Sequence, residues 1–428
     1  MPIAPRIRSA LATLAVATAA TSAGPAEAVE PRASDDLSRA LAHLSAGIEE
    51  AMGLIEASRF NGSDQERAEG ARRVLRQLVR AIISEIGTED DEHPVFFRGT
   101  DRFLKAGLDN PDNHYLWSRI SPNAQYRVVG TRGTTADFVV QVYRSMPGLP
   151  DWPGRYTTGG FFDANNLTTD AEGNFELLLG GEKRGTNWLA LHDDSRILMI
   201  RYTHNDWLRE KPGDVRIERI GAQGVPSTPL TSDSIAARIE RAHFFLVDGT
   251  RRYLEVTEGI VDRAEVNTVP KLYYTSDGGV PTQVSSSGHF SLRDDEALIV
   301  TTHPSKAPYQ GFQLGNLWFE SLEYGERLTS YTSAQARQSS DGLFHFVVSA
   351  KDPGVPNWLD TAGHRRGMLL LRWQGIAELP DDHQPTARKV KLSEVRAHLP
   401  ADEPKVTPEA RREQLARRQQ EILARFPW

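Results

Sequence analysis

The sequence predicts a mainly β protein with helical ends: duplicated jelly-roll or β-sandwich modules, an N-terminal helical hairpin and a C-terminal helix. Three observations predict it. Short β-branched and aromatic runs, separated by Gly, Pro, Asn and Asp, fill the middle of the chain. An ordered set of features around Asn-Trp-Leu occurs twice. Helical amphipathic periodicity is confined to the flanks and one connector.

The chain has 428 residues, which favours two or three domains. The predicted division is a signal peptide at 1–28, a helical region at 29–110 and a first β-sandwich at 111–225. A connecting helix at 226–265, a second β-sandwich at 266–380 and a helical tail at 381–428 complete it. Arg6 and Arg8, an Ala-rich apolar stretch over 10–20 and the small-x-small site Ala26-Glu27-Ala28 form the three parts of a secretory signal. That stretch is shorter than the roughly 20 apolar residues a spanning helix needs. The expected location is therefore the periplasm or the exterior, with no transmembrane segment after cleavage at Ala28.

A formal charge of -7 implies no nucleic-acid surface. The absence of cysteine excludes disulfides, thiol nucleophiles and cysteine-ligated metals, so the fold rests on core packing.

Leu37, Leu41, Leu44, Ile48, Met52 and Ile55 recur at three- and four-residue steps and predict a helix over 35–58. Asn61-Gly62 ends it. Ser63 and Glu66 then read as a capping box opening a second helix to about residue 86, with a stripe of Ala71, Val74, Leu78, Ile82 and Ile86. Its arginines are expected in solvent. Strands are predicted at 126–129, 137–143, 175–179, 197–202 and 215–220, and a helix at 233–247. Strands return at 289–292, 297–301, 311–319, 344–349 and 368–373. Thr407-Pro408 opens a charged last helix ending near Phe426.

In the first copy of the repeat, Asp170 and Gly173 precede a strand, then come Asn187-Trp188-Leu189 and a strand carrying Arg201. In the second, Asp341-Gly342 precede a strand, followed by Asn357-Trp358-Leu359 and a strand carrying Arg372. The Asn-to-Arg step is 14 residues in one copy and 15 in the other, which a duplicated module explains and chance does not. Asn187 and Asn357 suit loop amides, and Trp188 and Trp358 suit plugs at a sandwich end, so a structural corner is the preferred reading. Arg201 and Arg372 each end an apolar strand. Such a guanidinium serves a structural corner or clamps a carboxylate in a cleft, and the two roles remain open.

Where the copies differ, Asp352 and Asp360 bracket the second motif and His204 and Asp206 follow the first repeat's strand, a candidate acid–base set. Tyr309, Gln313, Asn316 and Trp318, with Tyr324, form an aromatic and amide set suited to a sugar face or lipophilic ring. It suits a sandwich core equally well, and periodicity does not separate the two. No serine-hydrolase elbow, His-Glu-x-x-His, His-x-His, EF-hand loop, dinucleotide fingerprint or P-loop occurs. No metal site or cofactor is therefore expected.

The stretches GFQLGNLWFESLEY (311–324) and SSDGLFHFVVSAKDPGVPNWLDTAG (339–363), with Leu371-Arg372-Trp373, resemble the bacterial family called domain of unknown function 1214. The resemblance is best over 285–375. It is fainter over 125–220, where the Asp-Pro-Gly is lost, and Asn110-Pro111-Asp112-Asn113 is similar to the lead-in of longer relatives. It implies a jelly-roll-like sandwich and brings no catalytic residues. The expected function is an exported protein holding a small organic ligand, a carbohydrate or hydrophobic carboxylate, in a cleft between the modules. Trp318 and Gln313 would contact the ligand while Arg201 and Arg372 clamp its acidic group. The alternatives are a glycan hydrolase or lyase, and a structural envelope protein.

Overall fold

The predicted stripe does form a helix and packs against its neighbours through Leu37, Leu44, Ile48, Met52 and Ile55. In the computed structural model, which describes residues 36–88, 92–145, 152, 154–274, 279–376 and 378–425, α1 spans Asp36–Ala57. The signal-peptide reading over 1–28 and the helix end at Phe426 lie outside the described residues. In α1 the buried residues are Ala40, Gly47, Ala51 and Ile55, while Leu41 is exposed. Small residues mark the seam because α1 packs closely on another helix: a Cβ at Gly47 would stand 2.4 Å from the His243 ring.

Helix α2 (Asp64–Ile82) starts as expected, with the Ser63 side chain accepting from the Glu66 amide. Glu66 does not return the bond to Ser63; its carboxylate accepts from the Gly62 amide and binds Arg366. The expectation that the α2 arginines face solvent is wrong for Arg73 and Arg80, which are buried. Arg80 donates to the Gly99 carbonyl at 2.6 Å and to Gln77 Oε1 at 2.8 Å, so its polar groups are met inside the protein.

The first module contains β1 (Asn113–Arg119), β2 (Tyr126–Thr131), β3 (Asp137–Tyr143), β4 (Thr158–Phe162), β5 (Asn174–Leu179), β6 (Trp188–Leu189), β7 (Ile197–Thr203) and β8 (Val215–Arg219). They form two sheets, ordered β1-β7-β3-β4 and β6-β5-β2-β8. After a two-residue strand β9 (Tyr273–Tyr274), the second module contains β10 (Gln283–Ser291), β11 (Glu296–Thr302), β12 (Tyr309–Gly315), β13 (Ser330–Thr332), β14 (Phe344–Ser349), β15 (Trp358–Asp360), β16 (Arg366–Gln374) and β17 (Thr386–Lys391). Its sheets run β13-β12-β16-β10-β9 and β15-β14-β11-β17. Strand for strand the two orders coincide, with β9 the single addition. Even the parallel β5–β6 pair has its counterpart in β14–β15. Strand β17 lies beyond the boundary placed at 380; its alternation of charged and small residues hides it from a hydrophobic reading.

Inside each sandwich the inward residues interdigitate, Phe138, Val140, Leu198 and Ile200 against Val128, Phe175 and Leu177 in the first. In the second, Phe312, Leu369 and Leu371 meet Leu298, Val300 and Phe346.

Helix α3 (Ser232–Arg263) is 32 residues long, about 48 Å at 1.5 Å per residue; it lies within the connector at 226–265 and extends past the periodic stretch at 233–247. Gly249 sits mid-helix, where a Cβ would lie 2.0 Å from the Gln77 amide. The helices cover outward faces of both modules. Ala81, Ala242 and Phe245 pack on Trp117, Ile197 and Met199 of the first, and Ile55, Val74 and Leu246 lie in one cluster with Met368 and Leu370 of the second. Helix α4 (Pro408–Arg425) closes the described chain. No described helix is long and apolar enough to cross a membrane.

Candidate functional site

Arg201 and Arg372 occupy equivalent places. Arg201 in β7 pairs across to Tyr115 and Val139, and Arg372 in β16 pairs across to Ser285 and Gly311. Each lies on the face of its strand turned away from the sandwich core. Each is held by a glutamine two residues beyond that cross-strand partner. Arg201 donates to Gln141 Oε1 at 2.5 Å, and Arg372 donates to Gln313 Oε1. Arg201 also donates to the Tyr143 hydroxyl at 2.5 Å, and Arg372 to the Leu108 carbonyl at 2.5 Å. The repeat thus carries a two-residue unit, arginine plus supporting glutamine, in each copy.

Both arginines line one cavity of about 700 Å³. Strands of the first module contribute Tyr115, Tyr143, Met199 and Arg201; those of the second contribute Ser285, Leu370, Arg372 and Gln374. Helix α3 adds Arg252, Tyr253, Val256 and Arg263. Five arginines (Arg80, Arg201, Arg252, Arg263, Arg372) border it against two carboxylates, Asp109 and Glu255. The cavity therefore carries an excess of positive charge.

The wall beside Arg372 is built from the 105–110 segment. Leu108 and Phe319 both take positive φ, 48° and 60°, and the Leu108 amide donates to the Phe319 carbonyl at 2.6 Å. This backbone is strained for residues with a Cβ, by about 1–3 kcal/mol each, and it turns the Leu108 carbonyl onto Arg372. Asp109 accepts from the Ser321 amide at 3.1 Å and its hydroxyl at 2.8 Å. Burial pushes the Asp109 carboxyl above its ordinary range, with the Lys105 ammonium pulling it back. Gln313 Nε2 donates to the Asp109 carbonyl at 2.9 Å, tying this wall to β12. Burial raises the Tyr115 phenol, and the Arg372 and Arg201 guanidiniums act in the other direction. One hydroxyl thus feels both arginines.

The other residues singled out in the sequence lie elsewhere. Gln313 supports Arg372 from behind and does not line the cavity. Tyr309 donates to Asp112 Oδ2 at 2.7 Å and Asn110 Oδ1 at 3.1 Å. Trp318 is 1% exposed and donates to the Glu66 carbonyl at 2.7 Å. Asn316 accepts from the Trp318 and Glu320 amides at 3.1 Å each. Tyr309, Asn316 and Trp318, expected at the ligand, are buried in the fold and do not line this cavity.

The four acid–base candidates each meet a local need and do not line the cavity. Asp352 receives Arg411 at 2.8 Å, and Asp360 receives Arg327 at 2.7 Å. Asp206 accepts from the Leu208 amide at 3.0 Å and the Arg209 amide at 3.2 Å. His204 is buried, with Nδ1 3.1 Å from the Asp112 carbonyl oxygen, and burial pushes its imidazole down to about 3. No pair among them is poised for proton transfer. Among the described residues no group of three His, Asp or Glu side chains is placed to hold a metal.

The repeated corner has one geometry. Asn187 bridges the Thr168 amide and carbonyl at 2.9 and 2.7 Å and reaches the Glu176 carbonyl at 3.0 Å. Asn357 bridges the Arg337 amide and carbonyl at 2.8 and 2.7 Å and reaches the His345 carbonyl at 3.3 Å. Trp188 donates to the Gly180 carbonyl and Trp358 to the Ser349 carbonyl, at 2.9 and 3.1 Å. Sequence reasoning missed Tyr115, Tyr143, Arg252, Tyr253, Arg263 and Ser285. The spacing of Arg252, Val256, Gly259 and Arg263 is a usable signal, since it keeps all four on one helix face.

Fold and cleft together define a duplicated β-sandwich protein with an arginine-lined cavity beneath a long helix. No family model matches the chain, and no curated protein matches it. It is similar to the crystal structure of an uncharacterised protein from Burkholderia cenocepacia, 30% identical over 84% of this chain and 98% of that one, with a TM-score of 0.75. The chain belongs to the same family as that protein. The VPA0106 protein from Vibrio parahaemolyticus aligns over 81% of this chain and 100% of that one at 11% identity and a TM-score of 0.43.

Proposed function

We propose that the protein binds an anionic organic ligand in the cleft between its two β-sandwich modules. The observation that carries this reading is the convergence of Arg201 and Arg372, equivalent positions of the two repeats, on one cavity. A guanidinium buried beside neutral amide, phenol and carbonyl groups still favours a nearby negative charge. Arg372 has no carboxylate partner among the described residues. Tyrosines and amides around the arginines suit a ring or sugar body attached to the acid. Membership of the domain of unknown function 1214 family belongs to the same proposal, on the stretches 311–324 and 339–363. So does export, on the pattern at the start of the chain. The hydrolase or lyase alternative draws nothing from Asp352, Asp360, His204 and Asp206, which are engaged apart from one another.

A thermal-shift screen against neutral sugars, uronic acids, fatty acids and steroid-like acids tests the reading. A ligand at a hundredfold excess over its dissociation constant stabilises the folded state by about 2.7 kcal/mol. Acids are expected to raise the midpoint, less so at high salt, and Arg201→Met and Arg372→Met to abolish the rise. A shift that neutral compounds produce equally well, or that survives both substitutions, sinks the reading.

A further inference from the structure

Helix α3 presents Arg252, Val256, Gly259 and Arg263 to the cavity, at steps that stay on one helix face. The two arginines stand eleven residues apart, a span of about 16 Å along the helix. Neither has a hydrogen-bond or ion-pair partner among the described residues. The Arg263 guanidinium folds back over Gly259, its Nη1 3.0 Å from where a Cβ there would stand, so the two charges lie closer together than their backbone positions. The helical wall thus carries two cations, and Arg201 and Arg372 add two more from the strands. A second cavity of about 630 Å³ also borders Arg252 and Glu255, with Glu240, Arg241, Asp248 and Arg251 in its lining.

The remaining lining decides between a lipophilic acid and a hydroxylated one. A fatty acid wants a continuous apolar wall. This cavity interrupts its aromatic faces with Asn113, Ser285, Ser287 and Gln374. Asn113 Oδ1, Trp117 Nε1 and Gln374 Oε1 are buried without a hydrogen-bond partner among the described residues. The polar side chains along this wall break up its apolar surface, which costs an alkyl chain its contact area and suits a hydroxylated ring.

Resting on the anion-binding reading above, we infer that the ligand is a linear acidic oligosaccharide lying along α3. One acidic group meets Arg201 and Arg372, and others farther along the chain meet Arg252 and Arg263.

Titration calorimetry on the full chain separates this from simple acid binding. The probes are galacturonate, its trimer, the neutral galactose trimer, a sulfated trimer of the same backbone and a long-chain fatty acid. The uronate trimer is expected to bind about tenfold more tightly than the monomer, which corresponds to two half-exposed ion contacts. The neutral trimer is expected not to bind. In the double variant Arg252→Gln, Arg263→Gln the trimer-to-monomer ratio should collapse toward one, with the folded state checked by circular dichroism. Binding of the sulfated trimer in place of the uronate upholds the inference with sulfate as the acidic group. Equal affinity of monomer and trimer, an unchanged ratio in the double variant, or binding of the fatty acid instead overturns it while leaving the anion site standing. If no acid binds, both readings fall.

Discussion

His204 shows how a residue that reads as chemistry serves structure. It sits in the His-Asn-Asp-Trp stretch after β7, where a histidine near aspartates suggests a base. In the fold its amide donates to the Asp112 carbonyl at 2.8 Å, its ring lies 4.9 Å from that of His114, and burial holds both imidazoles below their ordinary value. The unfolded chain takes up a proton near pH 6.5, while the folded one holds out until about 3. The contribution of His204 to stability is therefore complete above pH 6.5 and is lost as pH falls below it. Between pH 7.5 and 5.5 the wild type should lose about 1 kcal/mol more than a His204→Asn variant. Urea midpoints at both pH values measure this. Asp137, whose carboxyl burial raises to about 6, acts in the opposite sense but equally in both proteins. Equal pH slopes would show that the imidazole is not held neutral. Asn187 and Asn357 were legible as loop-binding amides because an asparagine in a repeated turn has few other uses. The role of Tyr115 was not: its value depends on two arginines distant in sequence.

At the scale of elements, α4 is the charged helix its sequence predicts, yet its arginines do not all face outward. Arg411, Arg418 and Arg425 recur at seven-residue steps and are all buried. Arg411 grips Asp352 and lies 5.2 Å over the Trp358 ring; Arg418 and Arg425 lie 4.6 and 4.5 Å over Trp207. The helix docks through guanidiniums on indoles, with Ile422 as its one fully buried aliphatic residue. Arg411→Ala should cost about 2–3 kcal/mol, through the half-buried Asp352 it leaves behind and the lost packing. Arg412→Ala, one residue along, removes only an exposed pair with Glu409 and should stay within about 0.5 kcal/mol. Denaturant unfolding of the two variants gives the comparison, and equal effects would mean that α4 is not held by its arginines. A hydrophobic reading could not foresee this seam, since it counts arginine as surface. The same bias hid Arg73 and Arg80 in α2. Strands with inward aliphatic runs, such as β7 and β14, were found because burial on both faces leaves an unbroken apolar string.

For the whole molecule, β3, β7 and β12 are buried along their full length, so each module has a covered face beyond its own core. The helices and the opposite module provide that cover. Chains split near residue 225 should not fold separately: each half is expected to lack a cooperative melt by circular dichroism, and the two to regain one when coexpressed. Two independently melting halves would show that the cleft is an incidental gap between self-sufficient domains. The duplication was readable in the sequence, but the cleft was not, because it comes from placing two outward faces under a common helix. That placement bears on ancestry. Before the repeats were joined, a single module pairing with its own copy would have brought two identical arginine–glutamine units to one symmetric interface. Fusion freed each half to change alone. Tyr115 and Ser285, which pair across from the two arginines, differ between the copies, so the two halves of the cavity now present different walls.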